Sequence, residues 1–223
     1  MSNGWTLQRL RSSVVNSAGT IVFGMEDGTV SIFGLIFGVA ATTSDTKTVL
    51  IAGASGAAAA AVSMMAGAYL DVETRRDQSK ATPAGGSGVP LSKRLADAGL
   101  TPEQSSALAG AVKDNRNAVD GLLLALDGTA QAPLDPAEQA LWMLGADFFA
   151  AAVPILPFVF LPIGQARVVS GIVTVTLLIV LGIGRAKLGK RSIVRTVAET
   201  VSMGVGAAIA GVAIGTLIDR WFS

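Results

Sequence analysis

The amino-acid sequence predicts an all-α, polytopic membrane protein with five transmembrane helices and a small helical insert on the cytosolic side. Three observations carry that expectation. Of 223 residues, 51% are hydrophobic and only 15% are charged, with a mean hydropathy of +0.56, too apolar for a water-soluble domain. The apolar residues gather into runs of about twenty, enough at 1.5 Å per residue to cross roughly 30 Å of hydrocarbon. The lysines and arginines, finally, concentrate in one alternate set of connecting segments. The same composition excludes several kinds of function. There is no cysteine and no histidine, hence no disulfide, thiolate or imidazole metal site, haem histidine or Ser-His-Asp triad. Carboxylates, amides, hydroxyls, carbonyls and methionine thioethers remain as the available chemistry. A net charge of +1 and a single tyrosine give no footprint for nucleic acid. No constellation of catalytic groups points to an enzyme, and no resident cofactor is expected.

Residues 1–17, polar and carrying Arg9 and Arg11, are expected to form a cytosolic lead-in, since they lack the apolar stretch of a signal peptide. Residues 18–70 hold the first two spans. The first, over 18–42, is apolar except for Glu26 and Asp27; the second, over 49–70, is rich in alanine and glycine and follows the turn Ser44-Asp45-Thr46. Residues 71–140 form the cytosolic insert, with a glycine- and proline-broken linker at 79–90. Within the insert, Thr101-Pro102-Glu103-Gln104 has the spacing of a capping box with proline at the first helical position, Asp135-Pro136-Ala137-Glu138 repeats that start signal, and Gly128 is expected to end the helix between them. Residues 141–223 hold the last three spans. The third, about 143–164, contains Asp147, Pro154, Pro157 and Pro162 and is expected to kink; the fourth covers 168–184; the fifth, about 196–218, carries Gly211 and Gly215 in GxxxG spacing.

Orientation follows from positive charge, which cytosolic segments retain during insertion. With the N-terminus inside, two arginines of the lead-in, seven positive residues of the insert and five of the connector at 185–195 lie on the cytosolic side, and only Lys47, Arg167 and Arg220 lie opposite. The C-terminus is therefore expected outside. The compact, alanine-rich chain reads as bacterial, with the inner cell membrane as its site.

Glu26 and Asp27 are the most informative residues, because a charge inside hydrocarbon costs at least about 2.5 to 3.5 kcal/mol. If Asp27 were instead a helix N-cap at the interface, the remaining helix would be too short to span, so the pair is placed inside. Neighbours on a helix point about 100° apart, so one of the two is expected to face the bundle interior. Met64, near the cytosolic end of the second span, should lie at the depth of Asp27, and the two could share one ion. A carboxylate beside a thioether suits Fe²⁺ or Mn²⁺ better than Mg²⁺ or Ca²⁺. Methionine in a membrane helix is, however, more often packing. Glu199 and Met203, four residues apart on one face of the fifth span, offer the same pair of donors, against the alternative that Glu199 simply pairs with Arg195. Asp147 is read as either a similar candidate or a charge in the first turn of its helix.

The stretches IVFGMEDGTVSIFGLIFGVAA and VLIAGASGAAAAAVSMMAGAYLDVETRRD, with PILPF at 154–158, resemble the vacuolar iron transporter family, which includes the nodulin-like membrane proteins. The resemblance runs through nearly the whole chain. It implies five helices with a cytosolic insert, a homodimer, and export of Fe²⁺ or Mn²⁺ from the cytosol in exchange for protons. It also implies that Asp27 matches the family's metal-translocating aspartate and Met64 its second-helix methionine; Glu26, Glu199 and Met203, read from the residues alone, stand as further metal-site candidates. Two departures accompany it. The family's second-helix glutamate falls at Gly56 and another methionine at Ala60, and the acidic residues of the insert stop at Asp71, Glu73 and Asp77. A non-transporting scaffold of the same fold is the competing expectation.

Overall fold

The computed structural model describes residues 13–15, 17–81, 90–126 and 135–222. Among these, the helices longer than one turn are α1 (Ala18–Thr42), α2 (Thr46–Ala81), α3 (Leu91–Asp97), α4 (Pro102–Val112), α5 (Arg116–Leu126), α6 (Pro136–Phe160), α7 (Ile163–Leu188) and α8 (Ile193–Phe222). The fold is all-helical, and α1, α2, α6, α7 and α8 are long and apolar enough to cross a membrane. Their outer faces carry large apolar residues such as Phe149, Phe160, Val168, Ile172 and Ile209, each more than half exposed. Threonines and serines such as Thr29, Ser170, Thr174 and Thr200 are instead fully buried. This inversion of the soluble pattern is what a lipid solvent imposes. The lead-in at 1–12, the linker residues 82–89 and Gly128 lie outside the described residues.

The chain divides into two compact units, one built from the five spans and the other from residues 70–135. In the second unit α3, α4 and α5 pack on one another. The capping box at the start of α4 is complete: the Gln104 amide donates to the Thr101 hydroxyl (3.3 Å), the Thr101 amide donates to the Gln104 side chain (3.0 Å), and Pro102 takes the first turn.

In the first unit α1 is the central element, packed by α6, α7 and α8. Its contact with α8 is a seam of glycines. A methyl group at Gly38 would sit 2.7 Å from the Gly211 carbonyl oxygen, and one at Gly215 would sit 2.5 Å from that of Gly38. Only glycine lets the two backbones approach so closely, and the GxxxG of the last span is thus used within the subunit. α2 lays Val49, Gly53, Ala57 and Ala61 against the bundle, with Gly53 on Ile36 and Ile155.

The spans differ from the expected bounds in ways that local chemistry explains. α2 begins at Thr46 because Asp45 caps it, accepting from the Lys47 and Thr48 amides (3.1 and 3.0 Å) and the Thr48 hydroxyl (2.6 Å). The Thr48 hydroxyl, then the two amides, hold the Asp45 carboxyl below its usual range. α6 begins at Pro136 and ends at Phe160, so Pro162 is not part of the third span; with φ of −55° and no N–H, it sits just before the first residue of α7. Pro154 and Pro157 do lie inside α6, where the Ser170 hydroxyl of α7 donates to the Pro154 carbonyl (2.8 Å). Opposite, Arg167 donates to the Thr43 carbonyl at the C-terminal end of α1 (3.2 Å), a cation where the helix dipole favours one.

Candidate functional site

α1 runs unbroken through Glu26 and Asp27, its ninth and tenth residues, so neither acid caps a helix end. The two have different surroundings. Glu26 is buried and accepts from the Arg185 guanidinium of α7 (2.9 Å) and from the Thr200 hydroxyl of α8 (2.9 Å). One carboxylate oxygen therefore ties three spans together, and its charge is already matched by a cation. Beside it lies a cavity of about 340 Å³ lined by Val22, Phe23, Glu26, Arg185, Leu188 and Arg191. Two guanidiniums on that lining disfavour a metal cation there.

Asp27, by contrast, is half-buried, and no hydrogen bond or ion pair reaches its carboxylate from any described residue. Glu26, an acid, stands beside it in the chain, and its own charge reaches a further acid, Asp147, across the α1/α6 contact. Asp147 is the twelfth residue of α6, well beyond the first turn, and is fully buried. Neither of its carboxylate oxygens has a hydrogen-bond partner among the described residues. It lies directly against Gly28: a methyl group there would come within 2.8 Å of Asp147 Oδ1 and 2.5 Å of its carbonyl oxygen. One turn earlier, Gly24 meets the Met143 sulfur in the same way (2.7 Å). The small residues of α1 on either side of Met25–Asp27 thus admit α6 at close range.

The remaining candidates are distributed over the bundle. α2 runs antiparallel to α1, with Gly56 against Ile32 and Leu35. Eight residues further along α2, at 1.5 Å each, half-buried Met64 comes level with Met25 to Asp27. Gly56 itself sits in apolar surroundings, where any larger side chain has to displace the end of Leu35. Glu199 accepts from Arg195 in its own helix (3.0 Å) and lies 4.0 Å from Arg191, so it is held among the connector's cations. Met203 is 54% exposed on the outer surface of α8. Among the described residues no three acidic side chains converge as a ready-made metal cluster. The Glu26–Arg185 pair is not legible in the sequence, where Arg185 reads as part of the basic connector although it lies in the last turn of α7.

Comparison with known proteins gives a consistent outcome. The family model described as "VIT family" matches residues 18–216. The chain is 26% identical to the vacuolar iron transporter of Centaurea cyanus over 204 residues, covering 85% of this chain and 83% of that protein. It is 25% identical to vacuolar iron transporter 1 of Arabidopsis thaliana over 215 residues, covering 90% and 85% respectively. Vacuolar iron transporter 1 of Eucalyptus grandis is 26% identical over 180 residues, covering 75% and 72%.

Proposed function

The chain belongs to the VIT family, and on that premise we propose that this membrane transporter carries a divalent transition metal, Fe²⁺ or Mn²⁺, out of the cytosol in exchange for protons. The observation that carries the proposal is the contrast between the two adjacent acids of α1. Glu26 has its cation in Arg185, whereas Asp27, at the same depth of an apolar helix, has none among the described residues. An ionised carboxylate in hydrocarbon is unfavourable without a counter-charge, and a passing cation supplies one. The relatives named above, each called an iron transporter, support the choice of cargo.

In this reading Asp27 is the principal ligand, Met64 at the same level contributes a thioether, and carbonyls or water complete the shell. A ligating carboxylate must be deprotonated, so metal arriving from the cytosol displaces protons, and protons returning from the opposite side release it. Glu26 takes the role of a tie between spans, and Glu199 and Met203 stand outside the path. The positive charge on the insert and connector supports a cytosolic N-terminus and an outward C-terminus. Two copies are proposed to form the working unit.

Proton coupling is tested in proteoliposomes holding one dye for Mn²⁺ and another for pH. Metal uptake accompanied by an alkaline shift of the vesicle lumen, as protons leave in exchange, and slowed when an ionophore collapses the pH gradient, is the expected result. Uptake without proton movement removes the antiport step. Absence of uptake for both Fe²⁺ and Mn²⁺ favours the scaffold reading, for which the specific observation is Gly56, packed among apolar side chains where the family has a glutamate.

A further inference from the structure

We propose that Asp147 is a second carboxylate ligand for the transported cation, sharing it with Asp27 across the α1/α6 contact within one subunit. The inference rests on the reading of Asp27 given above and adds a residue from a different helix.

Four observations carry it. Asp147 is fully buried, in the interior of the span bundle. Among the described residues neither of its oxygens has a hydrogen-bond partner, in a bundle where Glu26, a comparable buried acid, has two. Its side chain abuts Gly28, the residue directly after Asp27, at a point where α1 has no side chain to fill the space. The charge of Asp27 reaches it across the α1/α6 contact. A buried carboxylate without hydrogen bonds is among the costliest groups a fold can hold, and a neighbouring acid adds to that cost. A proton removes one charge but leaves the remaining lone pairs of both acids unmatched. A divalent cation neutralises both acids and satisfies lone pairs on both.

The test uses the full chain in lipid nanodiscs with Mn²⁺ as the probe, following free Mn²⁺ by electron paramagnetic resonance. Asp147→Asn preserves shape and removes the charge. It is expected to weaken Mn²⁺ binding by at least about tenfold, as Asp27→Asn does, the scale on which disturbing a metal's carboxylate shell acts. It is also expected to melt no lower than wild type without metal, yet to lose the rise in melting temperature that Mn²⁺ gives the wild type. Mn²⁺ affinity unchanged in Asp147→Asn, with binding lost in Asp27→Asn, overturns the inference and leaves the transport reading intact. Wild-type protein that binds Mn²⁺ through Asp147 but moves none into vesicles overturns the transport reading and keeps the site. A second measurement needs no variant: a hydrophobic carbodiimide should modify Asp147 in wild-type protein less when Mn²⁺ is present, and modification indifferent to Mn²⁺ counts against the site.

Discussion

At the level of single residues, the distinction between Glu26 and Asp27 decides most of the account. If Glu26 is a tie rather than a ligand, Glu26→Gln leaves a partly exposed guanidinium facing a neutral amide. That change should cost about 1 to 3 kcal/mol of stability, the lower part being more apt because Arg185 keeps some contact with water. Thermal unfolding in detergent reads this, and Mn²⁺ affinity is expected to remain at the wild-type level; an affinity loss without a stability loss would move Glu26 back among the ligands. That these two acids lie inside the membrane was legible in the sequence, because a helix beginning at Asp27 is too short to cross. Their different roles were not. Arg185 lies 159 residues away in the chain, and nothing in local spacing announces such a pair. Asp147 was obscured for a related reason: the third span was expected to start at about 143, which put the acid near an end, whereas the helix begins at Pro136 and buries it.

At the level of elements, the α1/α8 seam and the Asp45 cap are the two contacts whose energetics the geometry makes explicit. Gly38→Ala places a methyl group against a backbone carbonyl that has no rotamer by which to yield, and overpacking of this kind costs about 1 to 3 kcal/mol. A melting temperature unchanged by Gly38→Ala would show that the seam is looser than described. The cap predicts a dependence on pH. Because Asp45 is held below the ordinary carboxylate range when folded, its contribution is complete above the unfolded value of about 3.9 and fades as pH falls through the lower folded value. Asp45→Ala should therefore melt below wild type at neutral pH, with the gap closing in acid. The five spans were legible from their apolar length, but their ends depended on finer chemistry. The charge content of residues 71–77 suggested a stop, yet α2 continues to Ala81, while Pro162 proved to be the start signal of the next helix rather than a kink in the last. The GxxxG of the final span was recognisable as a site of close approach, and its partner, the glycines of α1, was not.

At the level of the whole molecule, the charge asymmetry between alternate connections predicts a definite arrangement in the membrane. The natural chain has no cysteine, so single substitutions give clean reporters. Lys93→Cys, in the insert, should react with an impermeant thiol reagent from the cytosolic side only, and Lys47→Cys, between the first two spans, from the opposite side only. The reverse pattern would invert the direction of transport proposed here. The apolar bundle brings α1 against α6 and α8 at close range, and so encloses one acid with a cation and, among the described residues, leaves two without. The central claim, that Asp27 carries a transition metal across this bundle, is tested most directly by metal flux into proteoliposomes with an imposed pH gradient, comparing wild type with Asp27→Asn for Fe²⁺ and Mn²⁺. The account predicts uptake by the wild type that is lost in the variant; equal uptake by both, from correctly folded protein, would contradict it.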